Sequence, residues 1–343
     1  MTKHRLFWPV VALFALLLGD LAARPSFFAV ELRDGHLYGN LVDILKNGAP
    51  LILIAIGMTI VVATRGIDLS VGAVVAISGA LACLWISRHP GGVGVTLAAV
   101  GLALGLSLVL GAWNGWLVAA LGIQPIIATL ILMVAGRGIA QLITGGQIIT
   151  INSAPYEWIG SGFVLTLPSA ILIALAVFVL ASVLIRRSAL GLLVEAVGGN
   201  PEASRLAGLR SARLTWLVYV FCALCAGIAG LMISANVHSA DGNNAGQFIE
   251  LDAILAVVVG GTQLTGGRFS LGGSVIGALL IQTLTTTVYA LGIPPQAIML
   301  FKAVVVLAVC LLQSPAFRRK LWPRRRDRPA ASAERPEKVE VAV

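Results

Sequence analysis

Residues 93–121 read VGVTLAAVGLALGLSLVLGAWNGWLVAAL and contain no charged side chain. A helix of about 20 apolar residues crosses the hydrocarbon layer of a membrane, which is about 30 Å thick. Apolar and polar residues do not alternate in this stretch, which argues against a strand of a membrane barrel. Because lipid offers the backbone no hydrogen-bonding partner, the stretch predicts a transmembrane helix, long enough to tilt or to include a break.

The composition of the whole chain leads to the same class of protein. Of its 343 residues, 58% are hydrophobic and 11% are charged, and the mean hydropathy is +0.95. Soluble domains have about 45–50% apolar and about 25% charged residues. We therefore predict an all-α polytopic transmembrane bundle of about ten spans with some broken or short helices. The apolar segments are residues 7–23, 42–63, 68–87, 93–121, 124–144, 168–186, 213–235, 249–263, 271–291 and 295–313.

Three segments depart from a simple span. The eighth, residues 249–263, is short and indicates a re-entrant or protein-buried element. The second contains Pro50 and runs into Thr64-Arg65-Gly66, which favours an interruption there. The first follows a basic start and ends at Ala22-Ala23, so it is either a cleaved signal peptide or a retained first span. We favour the retained span.

The distribution of basic residues predicts the orientation. With the N-terminus in the cytosol, ten spans place 18 of the 24 Lys and Arg residues on the cytosolic side and four outside. Cytosolic loops carry the excess of positive charge in membrane proteins, so both chain ends are predicted to be cytosolic. Residues 1–317 form the predicted membrane domain, and the Arg- and Pro-rich residues 318–343 form a disordered basic tail that contacts lipid headgroups or only fixes orientation.

One predicted cytosolic loop, residues 186–213, is much longer than the others. Leu192–Val197 and Pro201–Leu209 are predicted as two short helices, with Asn200 as the N-cap of the second and Pro201 at its first position. Short amphipathic helices on a cytosolic face suit docking into a groove of a partner. A simple connector explains the sequence equally well.

Polar and glycine-rich segments interrupt the apolar runs at a few places. Residues 66–72 and 260–268 place flexible backbone beside apolar helices, which is typical of transporter cores. Arg137 and Lys302 fall inside spans, where a charge must face protein or water. With Glu250 and Asp252 they either line a pathway or pair with each other. The outer segment 238–244 suits a hydroxyl-rich solute, a docked protein or a solvated turn.

Enzymatic and nucleic-acid functions have no support in the sequence. There is no phosphate-binding G-x-x-x-x-G-K-[ST] loop, no H-E-x-x-H and no G-x-S-x-G motif. Cys222 and Cys225 form a C-x-x-C without a second ligand cluster, so we expect a structural role for both. We predict no metal, cofactor or catalytic site, and no nucleic-acid partner.

Ten short motifs follow one another along the chain. They are residues 57–59 (GMT), 66–72 (GIDLSVG), 114–115 (NG), 127–130 (IATL), 137–138 (RG), 195–200 (EAVGGN), 207–208 (AG), 250–254 (ELDAI), 260–262 (GGT) and 266–268 (GGR). Together they resemble the permease subunits of bacterial sugar ABC importers of the ribose/galactofuranose type, over about residues 40–313. Residues 124–138 and 240–246 resemble the galactofuranose permeases in particular. A glycine pair usual in that family is replaced here by Arg65-Gly66.

The resemblance implies a multi-pass inner-membrane permease that works as a homo- or heterodimer with a second permease subunit. It implies a periplasmic sugar-binding protein and a cytosolic ATP-binding subunit, which hydrolyses the ATP because the permease itself is not an enzyme. The residues implied to dock that subunit are Glu195, Ala196, Gly198, Asn200, Ala203, Ala207 and Gly208. Our candidates for the translocation pathway are Asp68, Ser70, Asn114, Thr129, Arg137 and Asn236.

Two other transport functions stay open at this point. One is a permease for branched-chain amino acids, from a related group of ABC importers. The other is an ion-coupled secondary carrier, which would need no ATPase. An intramembrane enzyme would need paired catalytic groups at one depth, and the sequence offers none.

Overall fold

Each of the ten apolar segments contains an α-helix. The computed structural model describes residues 7–294 and 296–313, and in these ranges three further short helices lie between the ten. The helices are α1 Phe7–Ala23, α2 Asn40–Ala63, α3 Val71–Arg88, α4 Val93–Ala119, α5 Pro125–Thr144, α6 Ala154–Ser161, α7 Ser169–Arg187, α8 Leu190–Gly199, α9 Pro201–Leu206, α10 Ser211–Val237, α11 Ile249–Val259, α12 Leu271–Ala290 and α13 Ala297–Gln313.

Short β-ribbons occupy the loops. The strands are β1 Glu31–Arg33, β2 His36–Tyr38, β3 Ile149–Thr150, β4 Phe163–Val164, β5 Leu167–Pro168 and β6 Ser239–Ala240. β1 pairs with β2, β3 with β6 and β4 with β5, and all three pairs are antiparallel. A 3-10 helix, Pro25–Phe28, follows α1.

Seven of the described helices are long and apolar enough to cross a membrane: α2, α3, α4, α5, α7, α10 and α12. Helices α1 and α13 have 17 residues each, and α11 has 11. The prediction of an all-α polytopic bundle with some short helices is therefore confirmed. The side of the membrane on which the chain ends lie stays a prediction, and the tail at residues 318–343 lies outside the described residues.

Of the two alternatives for residues 93–121, a long unbroken span is the one observed, and the second span is interrupted after Ala63 but not at Pro50. Helix α2 runs unbroken past Pro50 to Ala63, and α4 is one continuous helix of 27 residues. A break would free several backbone groups in an apolar environment, whereas Pro50 removes one N–H, so the continuous helix is favoured. The chain does leave the helix at Thr64, and a loop of residues 64–70 leads to α3.

The two ends of the bundle are distinguished by helix direction. We call the outer end the one where α2 begins and α10 and α12 end. The inner end is the one where α2 ends and α8 and α9 lie. Under the predicted orientation these ends face the periplasm and the cytosol.

Small residues let the central helices approach closely. Helix α2 is buried along its whole length from Gly48 to Ala63, and a Cβ atom added at Gly57 would lie 2.9 Å from the Cα of Cys222 in α10. Gly230 of α10 packs in the same way on α3, against Ser78 and Val75. Without a hydrophobic drive between helices in lipid, this close packing is a main source of association.

We expect Gly230→Val to destabilise the bundle, because its Cβ would lie 2.9 Å from the Cα of Val75 and would overlap the Ser78 hydroxyl. Overpacking of this kind costs about 1–3 kcal/mol. Gly105→Val in α4 is the matched control, since nothing lies within 4 Å of an added Cβ there. Thermal unfolding of the detergent-extracted protein, followed by size-exclusion chromatography, should show a lower midpoint for Gly230→Val alone. Equal midpoints would contradict the packing argument.

Candidate functional site

A non-helical segment passes through the bundle between α10 and α11. Helix α10 ends at Val237 and α11 begins at Ile249. Gly242 lies against Ala140 and Thr144 at the outer end of α5, whereas Gly246 lies against Val75 and Gly72 in the first turns of α3. The segment therefore descends from the outer end toward the middle of the bundle. Irregular backbone at membrane depth is tolerated only where protein or a water-filled cavity covers it.

Arg137 covers the backbone of this segment. Its guanidinium donates from Nη1 to the carbonyl oxygen of Ala245 and from Nη2 to that of Gly246, at 2.9 Å for the second. Glu250, in the first turn of α11, is buried nearby, and one of its carboxylate oxygens has no hydrogen-bond partner in the described part of the chain. Arg137 and Glu250 thus place opposite charges beside the non-helical segment of residues 238–248, which we call the helix break.

Lys302 and Asp252, which also fall inside predicted spans, pair with each other. Lys302 of α13 donates from Nζ to a carboxylate oxygen of Asp252 in α11 at 2.6 Å, and both side chains are about four-fifths buried. The alternative of pairing is therefore the one observed for these two residues. The ion pair ties the last described helix to the short helix α11.

Four of the six pathway candidates lie together near the inner end. Asp68 Oδ1 accepts hydrogen bonds from the backbone N–H and hydroxyl of Ser70, at 3.0 and 2.6 Å, and Asn114 Nδ2 donates to the Ser70 hydroxyl at 2.8 Å. The Thr129 hydroxyl of α5 lies 3.3 Å from the carbonyl oxygen of Ile67 and 2.9 Å from that of Pro125 in its own helix. The cluster holds the loop of residues 64–70 between α4 and α5.

This inner polar cluster is closed off from solvent. Asp68, Ser70, Asn114 and Thr129 are each at most 1% exposed. Asp68 Oδ2 and Asn114 Oδ1 find no hydrogen-bond partner in the described residues. Of the remaining candidates, Arg137 lies at the helix break, and Asn236 lines a separate cavity of about 80 Å³ at the outer end, beside Asn47 and Pro50. The structure thus brings four candidates together and separates two.

Helices α8 and α9 lie at the inner end, as the predicted pair of short helices. The side chain of Asn200 caps α9 by accepting a hydrogen bond from the N–H of Ala203 at 3.0 Å, and Leu192 and Leu206 are 73% and 78% exposed. On the exposed surface of α9, the Arg205 guanidinium hydrogen-bonds to Glu202 and lowers the pKa of that carboxyl. The two helices therefore present uncovered apolar side chains.

The seven implied docking residues divide between that surface and the interior. Ala196, Asn200, Ala203, Ala207 and Gly208 are exposed. Glu195 is half-buried in a cleft of about 340 Å³ beside Phe269 and Ser270. Gly198 faces inward, where an added Cβ would overlap the carbonyl oxygen of Ala63 and lie 2.6 Å from the N–H nitrogen of Gly267.

Arg65 links α8 to the rest of the bundle, a role that sequence reasoning did not assign. Its Nε donates to the Gly198 carbonyl oxygen at 2.6 Å, and Nη2 donates to that of Gly199. The N–H of Gly267 donates to the carbonyl oxygen of Ala63 at 2.8 Å. The end of α2, the end of α8 and the loop after α11 therefore meet at one junction, which we call the inner junction (Ala63, Arg65, Gly198, Gly199 and Gly267).

Sequence reasoning also missed a polar cleft of about 460 Å³ at the outer end. Its polar and aromatic lining comes from two helices: Asn40, Asp43 and Asn47 of α2, and Gln282, Thr286 and Tyr289 of α12. The spacing of these residues could have indicated the cleft. Residues three, four and seven positions apart lie on one face of a helix, and both sets of three have these separations.

The buried cysteines form no disulfide bond among the described residues. Cys83, Cys222 and Cys225 are free and buried, and Cys222 packs against Gly57 of α2. No group of His, Cys, Asp and Glu in the described residues is arranged to hold a metal ion.

Comparison with known families gives the class of the chain. The model of a family described as the branched-chain amino acid transport system / permease component matches residues 40–310. The chain belongs to this permease family. The match extends from the first residue of α2 into α13, and so includes the helix break, the inner junction and the polar cleft.

Several relatives that match over most of their length are named as sugar permeases. The galactofuranose transporter permease of Escherichia coli is 51% identical over 92% of this chain and 93% of its own. The fructose import permease of Bifidobacterium longum is 41% identical over 91% and 88%, and the ribose import permease of Escherichia coli is 36% identical over 89% and 92%. The predicted resemblance to ribose- and galactofuranose-type permeases is confirmed. No solved structure matches the chain significantly.

We expect Gly198→Ala to loosen α8 from the inner junction, because its Cβ would overlap the Ala63 carbonyl. Gly199→Ala is the matched control, since nothing lies within 4 Å of an added Cβ at that neighbour. A cost of about 1–3 kcal/mol should speed local opening at least about fivefold. The measurement is the rate at which trypsin cuts the purified protein after Arg205 and Arg210. If both variants are cut at the wild-type rate, the junction does not hold α8.

Proposed function

We propose that the chain is the transmembrane permease subunit of an ABC importer in the bacterial inner membrane. The importer moves a sugar, galactofuranose or another monosaccharide, from the periplasm to the cytosol. A periplasmic binding protein delivers the sugar to the outer end, and a second permease subunit completes the pathway. The observation that carries the proposal is the 51% identity, over nearly the full length, to a permease whose name specifies galactofuranose.

The proposed energy source is ATP hydrolysed by a cytosolic partner that docks on α8 and α9. Both helices present exposed apolar side chains, Leu192 and Leu206, that have no cover in the described chain. Uncovered apolar groups of this kind mark interaction surfaces. When ATP draws the partner subunits together, α8 moves, and the inner junction transmits the movement to α2.

The helix break gives the bundle a place to bend. Alternating access in transporters uses discontinuous helices near the middle of the membrane. Here Arg137 holds the carbonyls of Ala245 and Gly246 by side-chain hydrogen bonds. Such bonds can be exchanged without unwinding a helix, so α11 can rock against α5 between two access states. A pathway role for Asp68, Ser70, Asn114 and Thr129 is less direct, since all four are enclosed, and we propose that they support the pathway by fixing the start of α3.

A branched-chain amino acid permease is the second candidate, and it is favoured by the description of the matching family model. A third is an ion-coupled carrier. The three candidates differ in energy source and substrate, so one uptake assay distinguishes them. We expect ATP-dependent uptake of labelled galactofuranose, ribose or fructose in cells that produce the complete transporter, with no uptake of leucine. Uptake that survives ATP depletion but collapses with an uncoupler would overturn the ABC assignment, and leucine uptake would overturn the sugar assignment.

The docking surface has its own test. We expect Glu195→Arg and Leu206→Glu to abolish ATP-dependent uptake and co-purification of the ATP-binding subunit, while the protein stays in the membrane. Burying an unpaired charge in an interface costs several kcal/mol, which is a loss of more than about a hundredfold in affinity. Leu165→Glu is the control, because Leu165 is 89% exposed at the turn between β4 and β5. Unimpaired co-purification of both docking variants would place the ATPase elsewhere.

A further inference from the structure

The polar cleft at the outer end contains side chains that the fold itself does not use. In the described part of the chain, Asp43, Asn47, Gln282, Thr286 and Tyr289 make no side-chain hydrogen bond. Other polar side chains of α12 are engaged, as the Thr287 hydroxyl lies 2.8 Å from a carboxylate oxygen of Asp20 in α1 and 2.8 Å from the Thr283 carbonyl oxygen of its own helix, and can donate to either. The free polar groups are therefore concentrated on the face of α12 that looks toward α2.

The position of these groups requires water or a ligand beside them. Asn47 lies about two turns inside α2, and Gln282 lies about two turns before the end of α12. The two helices are close there, since a Cβ added at Gly48 would lie 3.2 Å from Cγ of Gln282. Polar side chains at such depth face a partner or a water-filled cavity and seldom lipid. A cleft of about 460 Å³ lies in the range of small-molecule sites, about 300–1,000 Å³.

The chemistry of the lining selects a class of ligand. The amides of Asn40, Asn47 and Gln282 both donate and accept hydrogen bonds, and the Thr286 hydroxyl does the same. Asp43 is an acceptor that also repels anions. The ring of Tyr289, which is 58% exposed, offers an apolar face with a polar tip. A neutral polyhydroxylated molecule matches this set. An amino acid zwitterion would need a cation for its carboxylate, and the cleft lining holds no Lys or Arg.

We propose that this cleft between α2 and α12 is the site where the permease first contacts its sugar after release from the binding protein. The inference rests on the proposed function and adds to it the residues that contact the substrate. Asn47 also lines the smaller cavity that reaches Asn236, which Lys46 lines as well, so the polar lining continues from the cleft along α2 and the absence of a cation holds for the cleft itself. The side chains are open and lack a second layer of hydrogen bonds, which suits brief contact and onward release.

Transport by cleft variants tests the proposal. We expect the double variant Asn47→Leu, Gln282→Leu to lower the initial rate of labelled sugar uptake at least about tenfold, because two side chains that hydrogen-bond to the sugar are lost. Assembly with the ATP-binding subunit and ATP hydrolysis without sugar should be unchanged. Gln282→Asn should retain intermediate uptake. Thr285→Val is the control on the same helix, since Thr285 bonds to its own helix at Ile281, and it should transport normally.

Water accessibility gives a second readout that does not depend on transport. In a Cys310→Ala background, Thr286→Cys in the assembled transporter should react with a membrane-impermeant maleimide added from the periplasmic side, and saturating sugar should slow the reaction. Thr283→Cys, at a position 1% exposed, should stay unreactive. Wild-type uptake by the double leucine variant, or an unreactive Thr286→Cys, would overturn the cleft proposal. Absence of ATP-dependent sugar uptake by the wild-type complex would instead overturn the proposed function.

Discussion

Four backbone carbonyl groups near helix ends are the points on which this architecture depends. Those of Gly198 and Gly199 end α8, and those of Ala245 and Gly246 lie in the break before α11. An uncovered carbonyl inside an apolar bundle costs several kcal/mol, which applies to the pair at the break, whereas the pair that ends α8 lies at the exposed inner end. Each pair is covered by one guanidinium, Arg65 at the inner end and Arg137 at the break. A planar group with five N–H donors suits two successive carbonyls, which a lysine would serve less well.

Local features of this structure could be predicted from the sequence, whereas contacts between distant segments could not. Helix positions followed from apolar run lengths, and the Asn200 cap followed from local chemistry. Contacts between distant segments did not follow, because spacing along one helix says nothing about its neighbours. Asp68 looked like a pathway residue but forms a closed cluster with Ser70 and Asn114. Arg65 stood out only as a departure from a glycine, and the polar face of α12 was hidden among ordinary threonines.

Arg65 adopts a backbone conformation that favours glycine, and its side-chain hydrogen bonds compensate for the strain. Its φ of 65° lies in the left-handed region, which costs a residue with a Cβ roughly 1–2 kcal/mol and costs glycine almost nothing. The partly buried hydrogen bond from Arg65 to the Gly198 carbonyl, with the exposed one to Gly199, offsets this strain. A backbone shape that favours glycine therefore serves here to aim a guanidinium at the end of α8.

Helix α2 joins the features into one mechanical unit. Its 24 residues span about 36 Å, from the polar cleft at Asn40, Asp43 and Asn47 to the inner junction at Ala63. A buried, unbroken helix transmits displacement along its axis with little loss, because close-packed interiors deform poorly. On the proposed function, movement of α8 on the ATPase would shift the wall of the cleft that α2 supplies. Pro50, which leaves α2 intact, lies next to Asn47, so the continuity of this helix is what would couple the proposed energy source to the proposed sugar site.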